Sequence, residues 1–165
     1  MDQINHRMIA LSMLALAGSA YGAHVYFNTP TENEHHRSMI ENRLWLEHMP
    51  EDELDLTEAI VFVSAGEPEG MGVLYEFSQF RMYQDLFFWE GDDGDRALNI
   101  EFPQEPVMSG EYTLTASDNC DAPPEFELCL TVRSAEGGAD TFYSRWDLEM
   151  GSLDEATAKI RALAD

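Results

Sequence analysis

The chain has 165 residues, with 32 acidic against 9 basic side chains, a formal charge of −23 and 44% apolar residues. That apolar share suffices for a packed core and excludes a disordered acidic tail. The charge excludes a nucleic-acid partner, because a phosphate backbone would be repelled, and disfavours docking on anionic lipid.

Residues 1–22 read as a signal peptide: a polar start ending at Arg7, an apolar run Met8–Ala17, then Gly18, Ser19, Ala20 and Gly22. The run is about ten residues, short of what a membrane-spanning helix needs. Small residues permit cleavage after Ala20 or after Gly22. The expected location is secreted or periplasmic, with no membrane attachment after cleavage. An oxidising compartment predicts a disulfide between Cys120 and Cys129. Closing so short a loop contributes about 2–3 kcal/mol. Lys159 is the only lysine beside eight arginines, a surface that stays soluble when salt screens its charges.

Residues 23–42 form a polar linker with one helical stretch over Glu32–Ile40. From Arg43 the pattern changes to period two, the mark of half-buried strands. The first candidates are Arg43–His48, Glu58–Ser64, Gly72–Gln79 and Tyr83–Glu90. In the last of these, Asp85-Leu86-Phe87-Phe88-Trp89 is apolar on both faces, so its outer side needs a cover. The acidic turn at 91–95 leads into Ala97–Phe102, and then Gly110–Ser117 sets Tyr112, Leu114 and Ala116 on one face. Glu125–Arg133 sets Phe126, Leu128, Leu130 and Val132 together. Asp140–Met150 aligns Phe142, Trp146, Leu148 and Met150. Three of these last four strands are wet on one side, as antiparallel sheets allow.

Residues 151–165 are helical. Ser152 and Glu155 form a capping box, and Leu153, Ala156, Ile160 and Leu163 make one apolar stripe. The stripe is expected to land on the sheet at Phe87 and Trp89. The fold class is therefore mainly β: an antiparallel meander of about eight strands over 43–150 with a C-terminal amphipathic helix. Closure removes sheet edges, so a small closed barrel is expected, with a β-sandwich as the alternative.

This layout resembles the calycin group, the lipocalins and fatty-acid-binding-like barrels. The resemblance is carried by strand order and by Trp45 in Arg43-Leu44-Trp45 and Arg145 in Ser144-Arg145-Trp146. It implies that Trp45 and Arg145 pack together at the closed end, and it makes a small apolar or amphiphilic ligand the alternative function.

All five histidines fall in the first 48 residues, and no hydrolase or phosphate-loop motif is present. Glu34-His35-His36 and Glu47-His48 read as solvated polar segments, and the 92–95 turn as a hairpin tip. No catalytic residue, metal or cofactor is expected. The function expected is a structural or protein-interaction module. For the ligand alternative, the binding residues would be Tyr112, Phe126, Leu128, Phe142 and Trp146, with Arg81 or Arg145 on an anionic head group. The partner is then another protein or a small apolar molecule.

Overall fold

From Arg43 onward the two-residue rhythm folds as eight antiparallel strands. In the computed structural model, which describes residues 32–64, 69–91 and 96–164, they are β1 Arg43–Leu46, β2 Thr57–Ser64, β3 Glu69–Ser78, β4 Arg81–Glu90, β5 Ala97–Glu101, β6 Gly110–Ser117, β7 Leu128–Ser134 and β8 Ala139–Ser144. The signal peptide read over 1–22 and the acidic turn at 92–95 lie outside the described residues. Every strand pairs with its sequence neighbour, and β8 returns to β1, so the meander closes as a barrel. Among the described residues two α-helices accompany it, α1 Glu32–Ile40 before β1 and α2 Leu153–Ala164 at the end. Asn42 (φ 56°) turns the chain from α1 into β1, a left-handed position that asparagine tolerates.

Two apolar layers share one wall. The inner layer holds Trp45, Phe62, Phe87, Trp89, Leu114 and Phe142 among others, and is covered at one end by Met39 and Ile40 of α1. The outer layer gathers Leu44, Leu46, Val61, Tyr75 and Phe77 against Ala156 and Ile160 of α2. All four residues of β1 are consequently buried. α2 starts where the capping box places it: the Glu155 amide donates to Ser152 Oγ at 3.2 Å, and Gly151 N–H donates to Glu155 Oε2 at 2.8 Å.

The helix stripe is as expected, but its landing site is not. Phe87 and Trp89 point into the barrel, and α2 instead covers the outer faces of β1–β3. The reason lies in β3. Its outward positions carry Val73, Tyr75 and Phe77, whereas its inward positions include Gly70 and Gly72. A Cβ at Gly72 would stand 2.1 Å from the Phe87 ring and 2.3 Å from Val61 O; one at Gly70 would stand 2.2 Å from Trp89. Gly70 pairs across the ladder with Trp89, and Gly72 with Phe87. The bare backbone thus makes room for the two rings of β4, and the residues of β3 that look like core build the second layer.

Two strand ends also differ. The eighth strand stops at Ser144, and a short 3-10 turn, Trp146–Leu148, follows. Leu148 and Met150 therefore join the outer layer rather than continuing the Phe142 row. β7 begins at Leu128, so Phe126 falls in the preceding turn, its amide bonded to Pro123 O at 2.9 Å. Cys120 and Cys129 form the expected disulfide across the β6–β7 connection, with Cα atoms 6.3 Å apart.

Candidate functional site

The residues read as a ligand set are dispersed. Leu128 and Phe142 belong to the inner layer, and Tyr112 stands half-buried at its rim with its hydroxyl donating to Met108 O. Phe126 lies in the outer layer, stacked on Tyr143 with ring centroids 5.5 Å apart. Arg81 is exposed beside the β3–β4 turn, paired with Glu76 at 3.1 Å and set over the Tyr83 ring at 5.6 Å. Arg145 pairs with Asp147 at 3.1 Å, and Trp146 is 49% exposed. Strand direction puts Arg81 and Arg145 at opposite ends of the barrel.

The end covered by α1 is organised around Arg43, which sequence reading did not single out. Its Nε donates to Met39 O at 3.2 Å, one terminal nitrogen to Arg145 O at 2.7 Å, and the other to Glu149 Oε1 at 2.7 Å. Its guanidinium sits 5.0 Å over the Trp146 ring. Burial pulls this guanidinium below its usual range, and Glu149 and Glu127 pull it back. Register pairing between β1 and β8 is confined to Leu46 and Tyr143, so Arg43, together with Ser144 Oγ donating to Leu44 O at 2.7 Å, holds the seam shut. The expected packing of Trp45 on Arg145 is replaced. Trp45 turns inward and donates Nε1–H to Ile40 O at 3.0 Å, because Arg145 has already left the sheet. The contact between cation and indole at this end joins Arg43 to Trp146. The only cue in the sequence was an arginine heading an otherwise apolar strand.

α1 is pinned over the same end. Its Arg37 lies 5.2 Å above Trp89, and Ala116 N–H donates to His36 Nε2 at 3.0 Å. His48 belongs to the opposite end, where its Nε2 meets Asp55 Oδ2 at 3.0 Å and Thr57 Oγ1 at 3.1 Å. The Glu51 amide is the main cause holding the Asp55 carboxyl below its ordinary range, partly opposed by desolvation and helped by His48. His36 and His48 are thus separated by the length of the barrel. Among the described residues no group of three or more His, Cys, Asp and Glu gathers as a metal site would.

The opposite mouth is acidic. Desolvation raises the Glu58 carboxyl above its ordinary range, and the charges of Glu47, Asp140 and Glu76 add to this. The Tyr112 hydroxyl is raised by desolvation and by Glu136 and Asp140. These groups repel one another, which makes the mouth inhospitable to an anionic head group.

The β3–β4 hairpin and the strand it leads into expose aromatic side chains on an otherwise charged surface. Phe80 in the turn is 68% exposed, Tyr83 59% and Phe88 44%. A cleft of about 600 Å³ lies where β4 meets β5, with Phe88, Trp89 and Ile100 beside Glu69, Glu90 and Glu101. Among the described residues no helix is long and apolar enough to cross a membrane. No family model, curated protein or solved structure matches the chain.

Proposed function

We propose that this chain is an exported acidic β-barrel acting as a protein-interaction module. The observation that carries the reading is the exposure of Phe80, Tyr83 and Phe88 on one hairpin. Tyr83 shares the face of β4 that carries Phe87 and Trp89, and Phe88 shares the face of Met82 and Leu86, so both faces of this strand present an aromatic ring to solvent, a residue type enriched at contact sites. Two features weigh against a ligand carrier. The inner layer is packed on itself, with Phe62, Phe87 and Phe102 rings in contact at 5.3 and 5.2 Å, and small barrels filled this way hold their own side chains. The residues that would grip an amphiphile lie in different layers and at different ends. Export is supported by the disulfide, which persists in oxidising compartments, and by the leader-like residues 1–22. A distant calycin relation rests on the closed meander and on nothing finer.

Thermal unfolding in the presence of long-chain fatty acids and hydrophobic dyes separates the two functions. The module reading expects an unchanged melting temperature. A saturable rise with any fatty acid overturns it in favour of the carrier, since binding to the folded state alone raises stability by mass action.

A further inference from the structure

β4 is bonded to β3 along its whole length, from Arg81 to Glu90, yet β5 meets only Phe88, Trp89 and Glu90. Among the described residues no other main-chain hydrogen bond between backbone groups reaches Arg81–Phe87. The two-residue turn makes Ser78 and Arg81 the closing pair of the hairpin. By the alternation of antiparallel ladders, residues 81, 83 and 85 then direct their N–H and C=O to β3. Met82, Gln84 and Leu86 direct theirs outward. An open edge of this kind is a template for another strand, and neither proline nor lysine blunts this one.

We propose that β4 pairs antiparallel with β4 of a second copy of this chain, about a two-fold axis at Tyr83. The proposal rests on the interaction-module reading and names its partner. The charge pattern selects both occupant and register. Gln79–Phe88 carries one arginine and one aspartate, a neutral stretch in a chain of charge −23. Centring the pair on Tyr83 sets Met82 opposite Gln84 of the second copy, so the outward donors and acceptors of both strands meet. It also sets Arg81 opposite Asp85 twice, in the non-hydrogen-bonded pairs whose side chains approach most closely. Arg81 then lies between Glu76 of its own hairpin and Asp85 of the other copy. Phe80, exposed in the single chain, comes opposite Leu86. Centring on Met82 or Gln84 keeps the hydrogen bonds but loses both Arg–Asp pairs. Such an interface is isologous and closes at two subunits.

Sedimentation equilibrium of the full chain at high salt, where repulsion between acidic surfaces is screened, is expected to show a concentration-dependent monomer–dimer equilibrium. Gln84→Pro removes an outward N–H that the β3 ladder does not use; the variant is expected to keep the wild-type circular dichroism and to sediment as a monomer. Arg81→Asp is expected to weaken association about tenfold, and the exchange Arg81→Asp with Asp85→Arg to restore it. The described cysteines are paired, leaving no free thiol among them. Tyr83→Cys is therefore expected to oxidise to a covalent dimer, because the two introduced thiols face each other within disulfide reach. Gln84→Cys, displaced by the register, is expected to remain uncrosslinked. A wild type that stays monomeric, or association unchanged by Gln84→Pro, overturns the proposal. Equal crosslinking of both cysteine variants overturns the register. A monomer without fatty-acid response removes self-pairing and leaves the module reading standing, whereas a saturable fatty-acid response removes the module reading.

Discussion

The wall of this barrel has two unlike halves. Strands β1–β3 are buried on both sides, inward against Trp45 and Phe62 and outward against α2. β4 continues the same sheet but shows Tyr83, Gln84 and Phe88 to solvent, and among the described residues only its last three positions have a strand beside them on the far edge. The covered half has buried the apolar side chains of both its faces, and the bare half has not. Stability is therefore expected to concentrate in the first half, and contact with other molecules in the second.

Chemical unfolding of point variants tests that division. Phe87→Ala is expected to be the most damaging, losing about 4 kcal/mol, because the ring fills the space left by Gly72 and its loss opens a cavity. Ile160→Ala is expected to lose about 3 kcal/mol from the outer layer, while Phe88→Ala on the bare strand changes stability by no more than about 0.5 kcal/mol. Equal losses at Ile160 and Phe88 would break the comparison. Arg43→Met is expected to lose about 2 kcal/mol, since the Met39 and Arg145 carbonyls lose their buried donor.

The smallest effect concerns the acidic mouth. The Glu58 carboxyl titrates above its ordinary range in the folded chain, so its ionised form is a penalty that the unfolded chain does not carry. That penalty is complete above the raised folded value and vanishes below the ordinary carboxylate value. Glu58→Gln is accordingly expected to raise the melting temperature slightly at neutral pH and to leave it unchanged in acid. A gain that persists in acid would assign the effect to packing rather than charge.

Much of the strand plan is legible in the sequence, since alternation at Leu128, Leu130 and Val132 or at Leu98 and Ile100 leaves one workable face. The disulfide and the Ser152–Glu155 cap are local and equally legible. The dispersal of the ligand set was not. Phe126 and Trp146 continue the rhythm of their neighbours on paper, but the chain turns at Pro123–Phe126 and after Ser144, and periodicity carries no information about where a strand stops. Arg43 was hidden for another reason: its three hydrogen-bond acceptors come from α1, the end of β8 and the segment before α2, far apart along the chain.

By itself the sequence determined the alternation, the strand order, the sulfur pair and the helix start, because each depends on neighbours within a few residues. Only the tertiary structure decided which apolar face looks inward. In β3 that choice depends on rings from β4 lying over Gly70 and Gly72, and it sends Tyr75 and Phe77 to a second layer that exists only because α2 folds back over it. The open edge of β4 is likewise a property of closure: it appears because β5 pairs with only the last three residues of a longer strand.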